Sequence, residues 1–466
     1  GLERGTPYLR PVRDAVRLLR KDGKDEAARG LERAFVGTYP DVPYATLGAG
    51  PDDMLCRRCQ EGVQATTLHN YWQCVANDLL LDQEVVSTQE LRDEAVAGWQ
   101  DAACFWGRGI VPNHWIDTGH EHTPDTARIW KTTGFAEALE EACFCFTDGS
   151  GGEDSVLGEY RKVKVPPEIK KMGFGAAIMK YDEDLRLIGE VHALCGEVPG
   201  RQSVPRAELW AAIVMIAMAG DDQDLVIGID AQYVCNGAEK LEERIRGDNG
   251  DLWTIYKHLV SSRSGRVELV KVPAHVEDRK GVDAIVSGEV NVFDMIGNGL
   301  ADAAAGAGAA KASLQRLDIC RTAGIFTKAV RVAKRIGVIR AEIWRHQKED
   351  PVYPKPQRTD LVEPDMVEEI KTAQQELLDT KHRLSDRGDG KLECEHCGLV
   401  RKKGNELAWF KNPCRPRWTA PELEQIFKHF KAAKTYSEGD GNFENIADAA
   451  SDAKLGDFVE DDDFGM

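Results

Sequence analysis

The sequence predicts an α/β fold on a mixed five-stranded sheet, three antiparallel strands followed by parallel ones, flanked by mostly helical regions and two small cysteine-rich modules. Three observations predict it. Between residues 141 and 310, runs rich in alternating apolar and β-branched residues at 142–148, 173–180, 186–195, 225–230 and 267–272 are separated by stretches with another rhythm. In those stretches, at 205–219, 231–246, 250–262 and 298–310, apolar residues recur every three or four positions; the two spacings are those of strand and helix. The first three strand candidates follow one another through Gly- and Asp-containing turns, as an antiparallel meander does, and a helix then intervenes, as a parallel crossover requires. Finally, six of the twelve cysteines fall into two compact clusters, one on each side of this region.

Taken in chain order, residues 1–51 hold one helix over 12–35 and then a Pro/Gly-containing stretch, and 52–80 hold the first cysteine cluster. Residues 81–140 are expected to be helices joined by an irregular Trp- and His-containing loop at 106–130. After the α/β region of 141–310, residues 311–380 begin with a basic amphipathic helix: ten basic and two acidic residues lie in 311–348, with Ile325, Val330, Val332, Ile336 and Ile339 among its apolar positions. This helix has two readings, a track for a phosphate backbone or a solvated face packed on the α/β region. A linker at 351–356 and a second helix over 362–380 follow, then the second cysteine cluster in 381–435. The acidic tail of 436–466, ending Glu460-Asp461-Asp462-Asp463 before its last residues, is expected to be disordered.

At 466 residues the chain has room for two to four domains, and 42% hydrophobic residues is ordinary for a globular protein. A net charge of -18 argues against nucleic-acid binding by bulk electrostatics, so such contact would rest on local basic patches and on cations. No signal peptide is visible, and no apolar run reaches the roughly 20 residues that span a bilayer, so no membrane partner is expected. The clustered cysteines point to metal binding in a reducing, intracellular compartment. The chain opens on Gly1 rather than Met, which reads as a fragment of a longer protein.

Four acids carry the chemistry. Asp148 ends a strand in Phe146-Thr147-Asp148-Gly149-Ser150, and Glu208 opens an apolar helix in Arg206-Ala207-Glu208-Leu209. Asp230 closes the strand Leu225-Val226-Ile227-Gly228-Ile229-Asp230, and Asp302 lies in Gly297-Asn298-Gly299-Leu300-Ala301-Asp302. Singly, each reads as a turn or cap residue. Together, at strand ends and the start of a buried helix, they need neutralising cations. Hard divalent ions with oxygen ligands would serve, and a pair about 3.5–4 Å apart supports phosphodiester cleavage.

These motifs, in this order, resemble the four of type 1 ribonucleases H, over about 141–310, and Asp248-Asn249-Gly250-Asp251-Leu252-Trp253 is similar to the stretch that follows that family's third acid. The resemblance implies a ribonuclease H-like fold, cleavage of the RNA strand of RNA–DNA hybrids to a 3′-hydroxyl and a 5′-phosphate, and two Mg²⁺ ions, with Mn²⁺ an alternative, held by Asp148, Glu208, Asp230 and Asp302. Val272-Pro273-Ala274-His275 resembles the family's mobile histidine segment, which implies that His275 assists proton transfer or product release. The chain departs from the family in a longer connection at 276–296, in Ala274 where Gly is usual, and in lacking a basic protrusion after Tyr233.

Cys56-x2-Cys59-x9-His69-x4-Cys74 offers a full tetrahedral set for structural Zn²⁺. Its spacing resembles the zinc-binding segments upstream of ribonuclease H domains in non-LTR retroelement polyproteins. Cys394, Cys397 and Cys414 supply three ligands of a second zinc site. His382 is the expected fourth, reaching back across a hairpin, with His396 and His429 as alternatives. The expected protein is therefore a retrotransposon-derived, Mg-dependent endonuclease with RNA–DNA hybrid as partner, alongside a reverse transcriptase portion of the same polyprotein. The competing expectation is a zinc-stabilised nucleic-acid-binding scaffold with a catalytically inert fold.

Overall fold

The strand β2 (Phe144–Ser150) is the one around which the sheet is laid down, five of its seven residues being buried. A computed structural model of the chain describes residues 8–36, 55–116, 118–119, 122–142, 144–158, 162–181, 187–274, 291–349, 382–403, 414, 421–422 and 425–426. In it the chain forms two compact units, one from Gly1–Thr118, Val156–Pro166 and Gln315–Val367, the other from Gly119–Ser155, Pro167–Leu314 and Glu368–Met466.

The second unit carries a six-stranded mixed sheet. With β1 (Ile129–Lys131), β3 (Ser155–Leu157), β4 (Lys162–Lys164), β5 (Gly173–Tyr181), β6 (Leu187–Glu197), β7 (Leu225–Ile229) and β8 (Val267–Lys271), its order is β1-β6-β5-β2-β7-β8, while β3 and β4 form a separate ribbon. Strands β2, β5 and β6 pair antiparallel, and β2, β7 and β8 pair in parallel. The expectation of five strands is corrected to six. β1 pairs with β6 through Ile129↔Gly196, Trp130↔Cys195 and Lys131↔Leu194, inside the segment read as an irregular loop. Three residues are too few to show a period-two signal.

Helices cover both faces. On one, helix Val204–Met218 buries residues on every side, with Trp210 wholly enclosed among Phe174, Ile227, Ile229 and Trp253. Pro205 in its first turn suits a helix start, where the missing N–H is not needed. On the other, helix Val292–Ala312 lies on β5 and β6 through Ala301, Ala304, Ala305, Gly308 and Ala309. That contact is backbone on backbone: a Cβ on Gly175 would sit 2.2 Å from Ala305 N, and one on Gly173 would sit 2.0 Å from Ala309 N. The helix expected at 298–310 thus begins six residues earlier, capped by the Asn291 side chain accepting from Phe293 N at 3.0 Å. The helix expected over 231–246 is two, Gln232–Glu239 and Leu241–Ile245.

In the first unit, the single helix expected over 12–35 is a pair, Arg10–Lys21 and Asp25–Val36, turned at Gly23 with φ +74°. A side chain rarely adopts that backbone, so glycine ends the first helix. The basic stretch forms a helix, Arg316–Glu349, that packs on this pair. It buries Ile319, Phe326, Ala329, Val332, Ala333, Ile336, Ile339 and Ile343. Several of its cations are spent inside the unit, Lys328 on Glu94 (2.8 Å), Arg331 on Glu90 (2.7 Å) and Lys334 on Glu84 (2.5 Å).

No helix among the described residues is long and apolar enough to cross a membrane. The segment 37–54, the linker at 351–356, the helix expected over 362–380, and the acidic tail lie outside the described residues.

Gly175→Ala should cost about 3 kcal/mol, because the added methyl meets peptide atoms that cannot rotate away. Chemical denaturation of the two proteins measures the difference.

Candidate metal centres

The carboxylate site is assembled by register. Thr147 of β2 pairs in parallel with Ile229 of β7, so the next residue along each strand is an acid, Asp148 and Asp230. Glu208 joins them from the first turns of its helix, which approaches β2 closely because residue 149 is glycine; a Cβ there would lie 2.5 Å from Glu208 N. Arg206 anchors the same turn from within the core. It donates through Nη1 and Nη2 to the two carboxylate oxygens of Asp251 at 2.8 and 2.6 Å, and through Nε to Pro199 O at 2.6 Å. Sequence reading missed this clamp, although both of its ends lie in motifs singled out above.

One oxygen from each of Asp148, Glu208 and Asp230 lies within 4.8 Å of the others. Asp148 and Glu208 are each 6% exposed, and Asp230 is half-buried. Burial first, and then the charge of Asp230, push the Asp148 carboxyl up to about 7, against the bond it accepts from Gly149 N at 2.7 Å. Burial and the neighbouring Asp148 push Glu208 well above the carboxylate range. Glu208 Oε2 is buried with no hydrogen-bond partner. Crowded, buried, incompletely satisfied oxygens of this kind fit a divalent cation with oxygen ligands.

Asp302 stands apart from this triad. It is exposed on helix Val292–Ala312 and does not share the 4.8 Å cluster, though its charge still raises Asp148. His275 and the connection 275–290 lie outside the described residues; positions 292–296, read as part of an insertion, are the first turns of the Asp302 helix.

The first cysteine cluster brings Cys56, Cys59, His69 and Cys74 within 4.8 Å. Cys56 Sγ and Cys74 Sγ are 3.8 Å apart, and Cys59 Sγ and His69 Nε2 are 3.5 Å apart. Zn–S near 2.3 Å and Zn–N near 2.0–2.1 Å with tetrahedral angles give about 3.8 and about 3.5 Å for those edges. The four side chains are therefore compatible with structural zinc. The Cys74 bond, followed by N–H groups of Cys59 and Arg58, lowers Cys56 to about 4.

The second cluster gathers His382, Cys394, Cys397 and Cys414 on a small sheet of β9 (Leu384–Asp386), β10 (Lys391–Cys394) and β11 (Val400–Lys402). Cys394 and Cys414 sulfurs are 3.7 Å apart, and His382 Nδ1 is 3.3 Å from Cys397 Sγ. His396 Nδ1 also lies 3.3 Å from Cys414 Sγ but does not join the four-way cluster, and His429 is outside the described residues. Burial alone would raise Cys394, but N–H groups of Cys397 and His396 and the His382 ring bring it down to about 7.

No protein-family model matches the chain, and no curated protein matches it.

Two expectations follow. The purified protein should hold two zinc ions per chain, with Cys59→Ser and Cys397→Ser each removing one, as measured by metal analysis. The Asp148 carboxyl, ordinarily at 3.8, sits at about 7 in the fold, so between those values the folded state keeps a proton that the unfolded chain has released. Metal-free protein should therefore lose stability as pH rises from about 4 to about 7. Thermal scans should show that fall reduced in Asp148→Asn, and Mg²⁺ should raise the midpoint above neutral pH but not in acid.

Proposed function

We propose that the chain is an Mg²⁺-dependent endoribonuclease that cleaves the RNA strand of RNA–DNA hybrids, with a ribonuclease H-like α/β domain derived from a retroelement. The observation that carries this reading is the convergence of Asp148, Glu208 and Asp230 at the ends of two neighbouring parallel strands. Donor chemistry supports it as well. This cluster is all oxygen, the preference of Mg²⁺ or Mn²⁺, whereas the two thiolate–imidazole clusters suit zinc. The resemblance of the four acid-bearing motifs to those of type 1 ribonucleases H supplies the substrate class.

When bound, a pair of Mg²⁺ ions would supply Lewis acidity to the attacking water and to the leaving oxygen. The protein's own part is positioning. Asp148 and Asp230, fixed by strand pairing, and Glu208, fixed by Arg206 and the Gly149 contact, hold their oxygens in one small volume before substrate arrives. Asp302, on the solvent side, would complete the ligand set as the polynucleotide docks. His275 would move a proton or help release product. The upstream zinc cluster, with its retroelement-like spacing, supports an origin beside a reverse transcriptase portion.

Asp148→Asn should lower cleavage of a labelled RNA–DNA hybrid in Mg²⁺ by at least about 100-fold while the circular dichroism spectrum stays unchanged. Duplex DNA and single-stranded RNA should not be cut. Near-normal cleavage by the variant would sink the proposal. A wild-type protein that binds hybrid without cutting it would instead be the zinc-stabilised scaffold.

A further inference from the structure

Arg335, on helix Arg316–Glu349, is 0% exposed. Its Nε donates to Tyr71 O at 2.9 Å, and its Nη1 donates to Val85 O at 3.0 Å and to Thr88 Oγ1 and Gln89 Oε1 at 3.2 Å. The guanidinium also lies over the Trp72 ring, 4.7 Å from its centre. All four acceptors are neutral, and Arg335 makes no ion pair with any carboxylate of the described residues. A buried cation left in that state is strongly unfavourable.

The nearby charges make matters worse. Arg92 and Arg58 repel Arg335 and only Asp78 attracts it, yet Asp78 is already paired with Arg92 at 3.3 Å. Arg335 is tied instead to the backbone of the first cysteine cluster. Tyr71 and Trp72, the two residues Arg335 grips, belong to the short helix His69–Gln73, between the ligands His69 and Cys74. Arg58 sits between Cys56 and Cys59 and donates to Asn70 O and Asn77 Oδ1 at 3.0 Å. Arg58 and Arg335 thus both donate to the backbone of the segment that carries His69 and Cys74.

We infer that Arg335 is the clamp of the Cys56–Cys59–His69–Cys74 zinc centre, so that zinc loading and the seating of helix Arg316–Glu349 are one coupled step. Zinc held by His69 and Cys74 would fix the short helix between them, and with it the Tyr71 carbonyl and the Trp72 ring that receive the arginine. The arginine in turn fixes the backbone that presents two of the ligands. Coupling of this kind is reciprocal, so each partner strengthens the hold of the other. Because the same helix buries Val332, Ala333, Ile336 and Ile339, the metal's state reaches the N-terminal helices packed on it.

The test uses the full chain carrying Cys397→Ser, so that one zinc cluster reports, and competition with a chromophoric chelator. Arg335→Met should weaken zinc binding by about 10–100-fold, as loss of outer partners of metal ligands does, and Arg335→Lys should weaken it less. In wild type, zinc removal should speed amide exchange across 326–343; in Arg335→Met that exchange should be fast with or without zinc. Unchanged zinc affinity in Arg335→Met overturns the inference. So does helix exchange in wild type that ignores zinc, a measurement that decides the matter alone if Arg335→Met does not fold.

Discussion

Three carboxylates share a volume less than 5 Å across where two of them are almost sealed from water, and this repulsion is what the rest of the sheet must accommodate. Strand pairing cannot relieve it, because the register that places Ile229 beside Thr147 necessarily places Asp230 beside Asp148. Nor can the helix swing away. Arg206 ties its first turn to Asp251, and Gly149 leaves no side chain to hold it off. The fold therefore presents a fixed concentration of negative charge at one end of β2, and only protons or cations can relax it.

The ligand types divide the chain's metal chemistry cleanly. Oxygen donors gather at the sheet, where an ion would be exchangeable and able to keep water. Sulfur and nitrogen donors gather in two closed sets that leave no position open. Lys328, Arg331 and Lys334 face acids of their own unit, and Arg335 faces its interior.

Much of this was legible in sequence where one local rule decides the outcome. Alternation and β-branched residues place β2, β5, β6, β7 and β8 within a few positions; Asp230 directly follows its strand as expected, whereas β2 runs two residues beyond Asp148, to Ser150. Close cysteine spacing announces both thiolate clusters. What stayed hidden depends on partners distant in the chain. β1 is a strand only because β6 lies beside it, and the start of the Asp302 helix is set by Asn291 rather than by apolar period. Arg335 is buried because residues 71, 85, 88 and 89 supply acceptors some 250 positions away, a pairing no window of sequence contains. Asp302 was expected among the other acids; its exposure follows from its place on the outer side of a helix whose small residues face the sheet.

The first unit is stitched from three separate lengths of chain, with its long helix arriving near the end. On the ribosome, the helices Arg10–Lys21 and Asp25–Val36 emerge with Ala15, Leu19, Ala28 and Leu31 lacking the surface that later covers them. Gly30 and Gly337, whose backbones meet in the finished unit, are separated by the whole of the sheet. At synthesis rates of about 5–20 residues per second, the N-terminal pair waits on the order of half a minute for its partner. During that interval it is a natural client for a chaperone, while the sheet between can already close.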